Sequence, residues 1–443
     1  MNKYILLVLA LLALTFMISG CSLVPDEGLF ALPNLPREYV SLQNEINKII
    51  SGGAEYAVAE TGANRQAVQL VDLNADGQNE AIAFFIMNGG AIRAYVFRYN
   101  SEGEYEEEGF VESYGRRIWS VDYPEISRRG DKAIAISTRY DDSVTYGLTI
   151  ASPARGEIVT MLDLQYSAVL FEDSDEDGVE EIFFAISNGA SGAFSAHMYK
   201  LSGDEYKPVH SCQMCTEVKT VSNMQIGFVA EDRKALFIDS AANGGGYVSD
   251  VLTLDGSTPV NLSVDAAGGS GMSTWRASSV YCRDINEDGI TDVPVFEGGE
   301  LRNLLSWKDL AEDETTTVLR TYYNVTDRWY MDWPEKWENA VSAERKSADE
   351  ITTMTFFVPQ TQSPELQGEV RNAIFTIYVF TGENSAENLK SYRTLDVLSS
   401  SGGTIYGCLL IENDYKQYSL SEEEVRKAFH VIEQSWNTED YLK

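Results

Sequence analysis

The sequence predicts a mainly β protein: a β-propeller of about five blades, with six or seven also open, followed by a small α+β domain. Three observations predict it. An oxygen-rich stretch followed at once by an apolar run occurs three times, as VDLNADGQNEAIAFF from Val71, FEDSDEDGVEEIFFAIS from Phe171 and CRDINEDGITDVPVF from Cys282. Weaker copies, RRGDKAIAIS and EDRKALFIDS, fall between them. No helical periodicity interrupts the region that holds all five.

The copies are in phase. The last acid of each strong copy and the lysine of each weak one are Glu80, Lys132, Glu181, Lys234 and Asp292. A step of roughly 50 residues is a period of propellers and solenoids. Within the first unit, β-branched and aromatic residues broken by glycine-rich turns predict strands over about 66–72, 80–87, 91–99 and 105–112. Four antiparallel strands per repeat make a blade, whose apolar faces its neighbours cover. Five units span 64–323, and 37–63 reads as a helix or strand leading into them.

The N-terminus gives an address. Met1-Asn-Lys3, an apolar run from Tyr4 to about Met17 and the small residues before Cys21 form an export signal. Ile18-Ser19-Gly20-Cys21 resembles the lipobox of bacterial lipoproteins. That resemblance implies cleavage of 1–20 and a lipid on Cys21, with 21–36 as a short, proline-bearing spacer. Two or three acyl chains, at about 0.8 kcal/mol per buried methylene, hold a protein on a bilayer. The expected location is therefore extracytoplasmic, on a bacterial membrane. The formal net charge of −34 excludes nucleic acid as a partner, because such a surface repels phosphate.

Four further cysteines are Cys212, Cys215, Cys282 and Cys408. An exported chain permits disulfides, and Cys212-Gln-Met-Cys215 invites a local or longer-range bridge. Free thiols are one alternative. A zinc site with His210 is another, though it lacks an evident fourth ligand.

The three strong copies share the form D-x-[DN]-x-D-G-x-x-[DE]. Through Asp72–Glu80, Asp173–Glu181 and Asp284–Asp292 the chain resembles the FG-GAP/VCBS repeat family, which includes the integrin α-chain propeller and many bacterial surface proteins. The resemblance implies a propeller that presents loops to a protein or glycan partner. Two departures stand out: the phrase Phe-Gly-Gly-Ala-Pro is missing, and only alternate units keep the acids.

Calcium takes six to eight oxygens and tolerates an irregular cage. Positions 1, 3, 5 and 9 of each loop supply Asp72, Asn74, Asp76 and Glu80; Asp173, Asp175, Asp177 and Glu181; and Asp284, Asn286, Asp288 and Asp292. Position 7 adds the backbone carbonyl of Gln78, Val179 or Ile290. The expectation is about three structural Ca²⁺ sites. The glycine after position 5 (Gly77, Gly178, Gly289) is expected to hold a left-handed backbone. Lys132 and Lys234 occupy the last-ligand slot of the weak copies and remove them from the set, with the lysine compensating charge internally.

From about 324 to 443 the pattern changes to an α+β domain. Strand-like runs lie at 351–358, 373–380 and 404–411, with a helix near 385–393. A terminal helix opens at Ser421, with Glu424 at capping-box spacing; Val425, Ala428, Phe429, Ile432 and Trp436 share one face. Tyr323–Trp337 resembles the opening of PsbP/Mog1-like domains. Its Trp329, Tyr330, Trp333 and Trp337 are either core or a stacking platform for a sugar or peptide. With three histidines (His197, His210, His430) and no G-x-S-x-G, H-E-x-x-H or phosphate-binding glycine loop, the chain reads as a non-enzymatic surface lipoprotein. The alternatives are a propeller-type polysaccharide-acting enzyme and an accessory subunit of an envelope assembly.

Overall fold

Alternation along one strand explains most of the architecture. In Glu80–Ile86 every side chain but the last is buried, and successive residues serve opposite faces. Ala81, Ala83 and Phe85 pack one way; Ile82 and Phe84 pack the other. A strand buried on both faces must be covered on both. The structure, a computed structural model, describes residues 37–432 apart from 141–144, 155–156, 190, 255–257, 265–268, 312–314, 339, 360–371 and 393. Residues 1–36, which hold the expected signal peptide, Cys21 and spacer, and Trp436 lie outside the described residues.

Six antiparallel sheets follow one another along the chain. The first contains Val68–Val71, Glu80–Ile86, Ile92–Tyr99 and Tyr105–Ser113, with Glu55–Tyr56 sharing its first edge. Its observed strands lie within two residues of the predicted bounds. The second runs through Arg117–Asp122, Ile134–Arg139, Tyr146–Ala154 and Glu157–Tyr166, and the third through Ala168–Glu172, Glu181–Ser187, Phe194–Ser202 and Glu205–Gln213. Val218–Ala230, Arg233–Ala242 and Tyr247–Thr253 form the fourth. The fifth comprises Val293–Val295, Leu304–Leu310, Thr315–Asn324 and Trp329–Asp332, closed by Phe429–Val431 from near the C-terminus. Ser342–Ala348, Ile351–Phe357, Ala373–Phe380, Thr404–Leu410 and Asp396–Ser401 make the sixth, in that spatial order.

Consecutive sheets share cores. Ile134 and Ile136 join Ile82 and Phe84 of the first sheet. Ala133 and Ala135, on the other face, meet Ile182 and Phe184 of the third. Phe183 and Ala185 then meet Leu236 and Ile238 of the fourth, and Ala235 and Phe237 meet Val293 and Val295 of the fifth. Truncating one such phenylalanine to alanine costs about 3–5 kcal/mol.

The ends of this series modify the expected ring. The outer face of the first sheet is covered by the helix Arg37–Ser51, through Leu42 and Ile46 one turn apart. The sixth sheet packs on Tyr322, Trp329 and Met331 of the fifth. Among the described residues no core joins the first sheet to the fifth, so the sheets form a consecutive stack and do not close.

The C-terminal segment departs from the sequence reading at one point. The capping box forms: Ser421 Oγ accepts from Glu424 N at 3.2 Å and Glu424 Oε2 accepts from Ser421 N at 2.7 Å. The helix nevertheless ends at Ala428. Phe429 turns extended, stacks on Trp329 at 5.7 Å and begins a strand paired with Trp329–Asp332. Its aromatic and β-branched residues suit a sheet edge better than another helical turn. His430, expected in a helix, instead stacks on Tyr330 at 4.6 Å. The aromatic cluster is core: Trp329 and Trp337 are fully buried, and Trp333 and Tyr330 nearly so.

Candidate functional site

The three acidic loops adopt one backbone. In each, the position-1 aspartate accepts from two amides: Asp72 from Asp76 N and Gly77 N at 3.2 and 2.9 Å, Asp173 from Asp177 N and Gly178 N at 3.0 and 2.8 Å, and Asp284 from Asp288 N and Gly289 N at 3.1 and 2.8 Å. The position-5 aspartate accepts from the position-7 amide in all three, at 2.8–2.9 Å. These are local Asx turns, which spacing alone can specify. Gly77, Gly178 and Gly289 have φ of 87, 85 and 91°, as expected. Position 4 is also left-handed, with Ala75, Glu176 and Glu287 at 53, 59 and 62°; nothing in those residue types signals it.

The position-9 acid closes each loop from beneath. Glu80, Glu181 and Asp292 are 2, 3 and 0% exposed. Each accepts from the position-2 amide, Leu73, Ser174 or Ile285, at 2.9 Å. Burial raises the Glu80 carboxyl above its ordinary range, against the pull of the Leu73 N–H. Burial raises Asp292 too, and contact with Asp309 adds to it.

Oxygens of Asp173, Asp175 and Asp177 lie within 4.8 Å of one another, close enough to hold one metal ion. Position 3 of the other two loops is Asn74 or Asn286, a neutral oxygen donor in the same place.

Basic residues connect the loops. Arg128, from the weak copy in the second sheet, donates to Asp177 O at 2.7 Å. Its neighbour Arg129 donates to Asn74 O at 3.4 Å. Lys234 donates to Ser174 O at 2.9 Å and pairs with Glu176 at 2.7 Å. The lysine of that weak copy therefore compensates the loop next door, not its own.

Among the described residues Cys212, Cys215, Cys282 and Cys408 are free thiols, so Cys212 and Cys215 are not bridged. Cys215 is buried, its amide bonded to Asp250 at 2.8 Å and its sulfur packed against Gly271; Cys212 lies at the end of a strand opposite Ala196.

Sequence reasoning missed a cavity of about 470 Å³ lined by the first strands of the second, third and fourth sheets, with Tyr146 and Tyr166 from the third and fourth strands of the second. Its wall carries an aromatic run, Trp119–Tyr146–Tyr166, with ring centroids 5.1 and 5.5 Å apart. Two carboxylates face it. Asp122 accepts from Ser120 at 3.1 Å and Glu180 from Glu125 N at 2.6 Å; burial raises both. Only register brings these residues together, so no linear spacing marks them.

No protein-family model matches this sequence, and no curated protein does. Among solved structures, the chain is similar to the endo-arabinase of Bacteroides thetaiotaomicron VPI-5482, at 11% identity over 60% of this chain and 97% of that one, with a TM-score of 0.26. A protein of Bifidobacterium bifidum s17 described as an exo-beta-1,3-galactanase matches at 12% over 61% and 93%, with a TM-score of 0.24. The β-propeller domain of the Trilobed protease from Pyrococcus furiosus, which has an open velcro topology, matches at 10% over 73% and 90%, with a TM-score of 0.23. Two of these three carry the names of glycoside-acting enzymes, and the expectation of a non-enzymatic chain is set aside. At such identities and scores the likeness bears on neither substrate nor site residues.

Proposed function

We propose that this chain is a lipid-anchored, extracytoplasmic binding scaffold of the FG-GAP/VCBS kind. Its blade-like sheets are stiffened by Ca²⁺ at three loops and offer a surface to a protein or glycan partner. The observation that supports this is the single backbone shared by Asp72–Glu80, Asp173–Glu181 and Asp284–Asp292. Carboxylates concentrated in so short a loop repel unless a cation joins them. The test is metal content. Asp76→Ala, Asp177→Ala and Asp288→Ala should each lose about one bound calcium, and Lys132→Ala none. Equal content in all four, or a melting temperature indifferent to EDTA, refutes the metal assignment. Cys21→Ala should lose acyl label and membrane association; retention of both refutes the anchor.

The cavity supports a second reading, a carbohydrate-acting site. Aromatic walls with two carboxyls raised by burial suit a sugar ring and proton transfer. Release of reducing sugar from a panel of neutral polysaccharides, abolished in Asp122→Asn, is the result that establishes it. No release across the panel leaves the cavity as a binding pocket.

A further inference from the structure

The three acidic loops differ in the residue that stands across the sheet from position 9. In the first sheet Ala81 pairs with Phe97, which sets Glu80 opposite Arg98. In the third, Ile182 pairs with Tyr199, which sets Glu181 opposite Lys200. In the fifth, Val293 pairs with Lys308, which sets Asp292 opposite Asp309. Two loops thus have a cation behind them and one has a third-party carboxylate.

The consequences are visible in the side chains. Arg98 favours the charged form of Glu80 and pairs with Glu108 at 2.7 Å. Lys200 lies 2.6 Å from Asp175 and 3.4 Å from Glu181, bridging positions 3 and 9 of its loop. In the fifth sheet the nearest cation on the strand, Lys308, is engaged by Glu297 at 2.9 Å. Asp292 is fully buried; its Oδ2 accepts from Ile285 N, while its Oδ1 and the buried Oδ1 of Asp309 receive no donor. Buried acceptors without donors are costly; a proton shared between the two carboxyls, a water or a metal ion would satisfy them.

We infer that Asp309, from outside the nine-residue loop, is an additional carboxylate ligand for a divalent cation at Asp284–Asp292, and that this is the tightest of the three sites. The inference rests on the calcium reading above. Formal charge gives the order. Counting only the acids at ligand positions 1, 3, 5 and 9, those of the first loop with Arg98 carry −2, those of the third with Lys200 carry −3, and those of the fifth with Asp309 carry −4. Calcium affinity rises with ligand charge in a cage of given geometry. A hard cation with a variable oxygen number accommodates the extra ligand; Mg²⁺, which insists on a regular octahedron, suits it less.

The experiment is calcium calorimetry on the full chain in detergent, stripped with EDTA, comparing wild type with Asp309→Asn and Asp309→Lys. The tightest site should weaken on the order of 10- to 100-fold in Asp309→Asn and vanish in Asp309→Lys, with the other sites unchanged. Unaltered calcium binding in both variants overturns the inference and leaves the calcium reading intact. No calcium binding by wild type sinks that reading itself. A second measurement needs no Asp309 variant. Ile285, in the fifth loop, packs in one cluster with Trp307, whereas Tyr105 and Tyr206 bond to the first and third loops. Terbium titrated in place of calcium should therefore emit under tryptophan-selective excitation from the first equivalent, and Trp307→Phe should remove that emission. Emission that appears only after the other sites fill overturns the order proposed.

Discussion

Behind the loop that begins at Asp173 stands a lysine from the adjacent strand; behind the loop at Asp284 stands an aspartate. The two loops have the same turn bonds, the same left-handed residues and an equally buried final acid. The third brings its own positive charge to that acid, in Lys200. The fifth does not, and two of its carboxyl oxygens are left without donors. A loop motif thus sets where its carboxylates point, while the strand behind it sets how much of their charge is left uncompensated.

The largest expected effect tests whether the fifth loop is held from outside. Cys282, two residues before that loop, bonds through its amide to Asp239 at 3.1 Å. Asp239 pairs with Arg276 at 2.7 Å, both fully buried, and Ser249 and Asn223 complete its bonds. Arg276→Met should cost about 3–5 kcal/mol by urea unfolding, because it strands a buried carboxylate. It should also weaken calcium at the fifth loop and spare the third. Equal weakening of both would show that the loops do not respond separately.

The fourth sheet lies between the sheets of the two loops and supplies a pH control. Burial raises Asp250 to about 6, although Asn261 and the Cys215 amide donate to it. Its folded pKa is above its unfolded one, so the folded state binds more protons between about pH 4 and 6 and stability falls as pH rises through that window. Asp250→Asn should therefore gain about 3 kcal/mol at pH 7 and nothing near pH 3. An equal gain at both pH values refutes the cause.

Smaller is the effect of Lys200→Met. It gives the third loop a charge closer to that of the fifth, so calcium affinity there should rise about tenfold, or about 1.4 kcal/mol. Without metal the variant should melt lower than wild type. Unchanged affinity by calorimetry would mean that the lysine does not oppose the ion. Lys234→Ala should do least. Its ion pair with Glu176 is exposed on the acid side, so the loss should stay below about 1 kcal/mol by urea unfolding and calcium stoichiometry should hold. Loss of a calcium would show that Lys234 positions the loop.

Much of this was legible beforehand. Strand bounds in the first unit followed from β-branched runs and turn residues, and the phase of the five copies matches five consecutive sheets. The failures share a cause. Val425 to Ile432 fits a helical face, yet Phe429 and Val431 found a partner strand at Trp329–Asp332 and the helix stopped. A closed ring follows from repeat counting, but the helix at Arg37–Ser51 and the sixth sheet cover the end faces instead. Residue pattern reports what must be covered, not what covers it.

What the sequence by itself determined is the conformation inside each acidic loop. Asp72, Asp173 and Asp284 bond to amides four and five residues on, and contacts that short are encoded by spacing. Tertiary structure alone decided that Arg98, Lys200 or Asp309 stands behind the loop, that Lys234 serves a neighbouring sheet, and that Asp122 and Glu180 share a cavity. Those meetings depend on strand register and sheet stacking, which are fixed only when the whole set of apolar faces is buried at once.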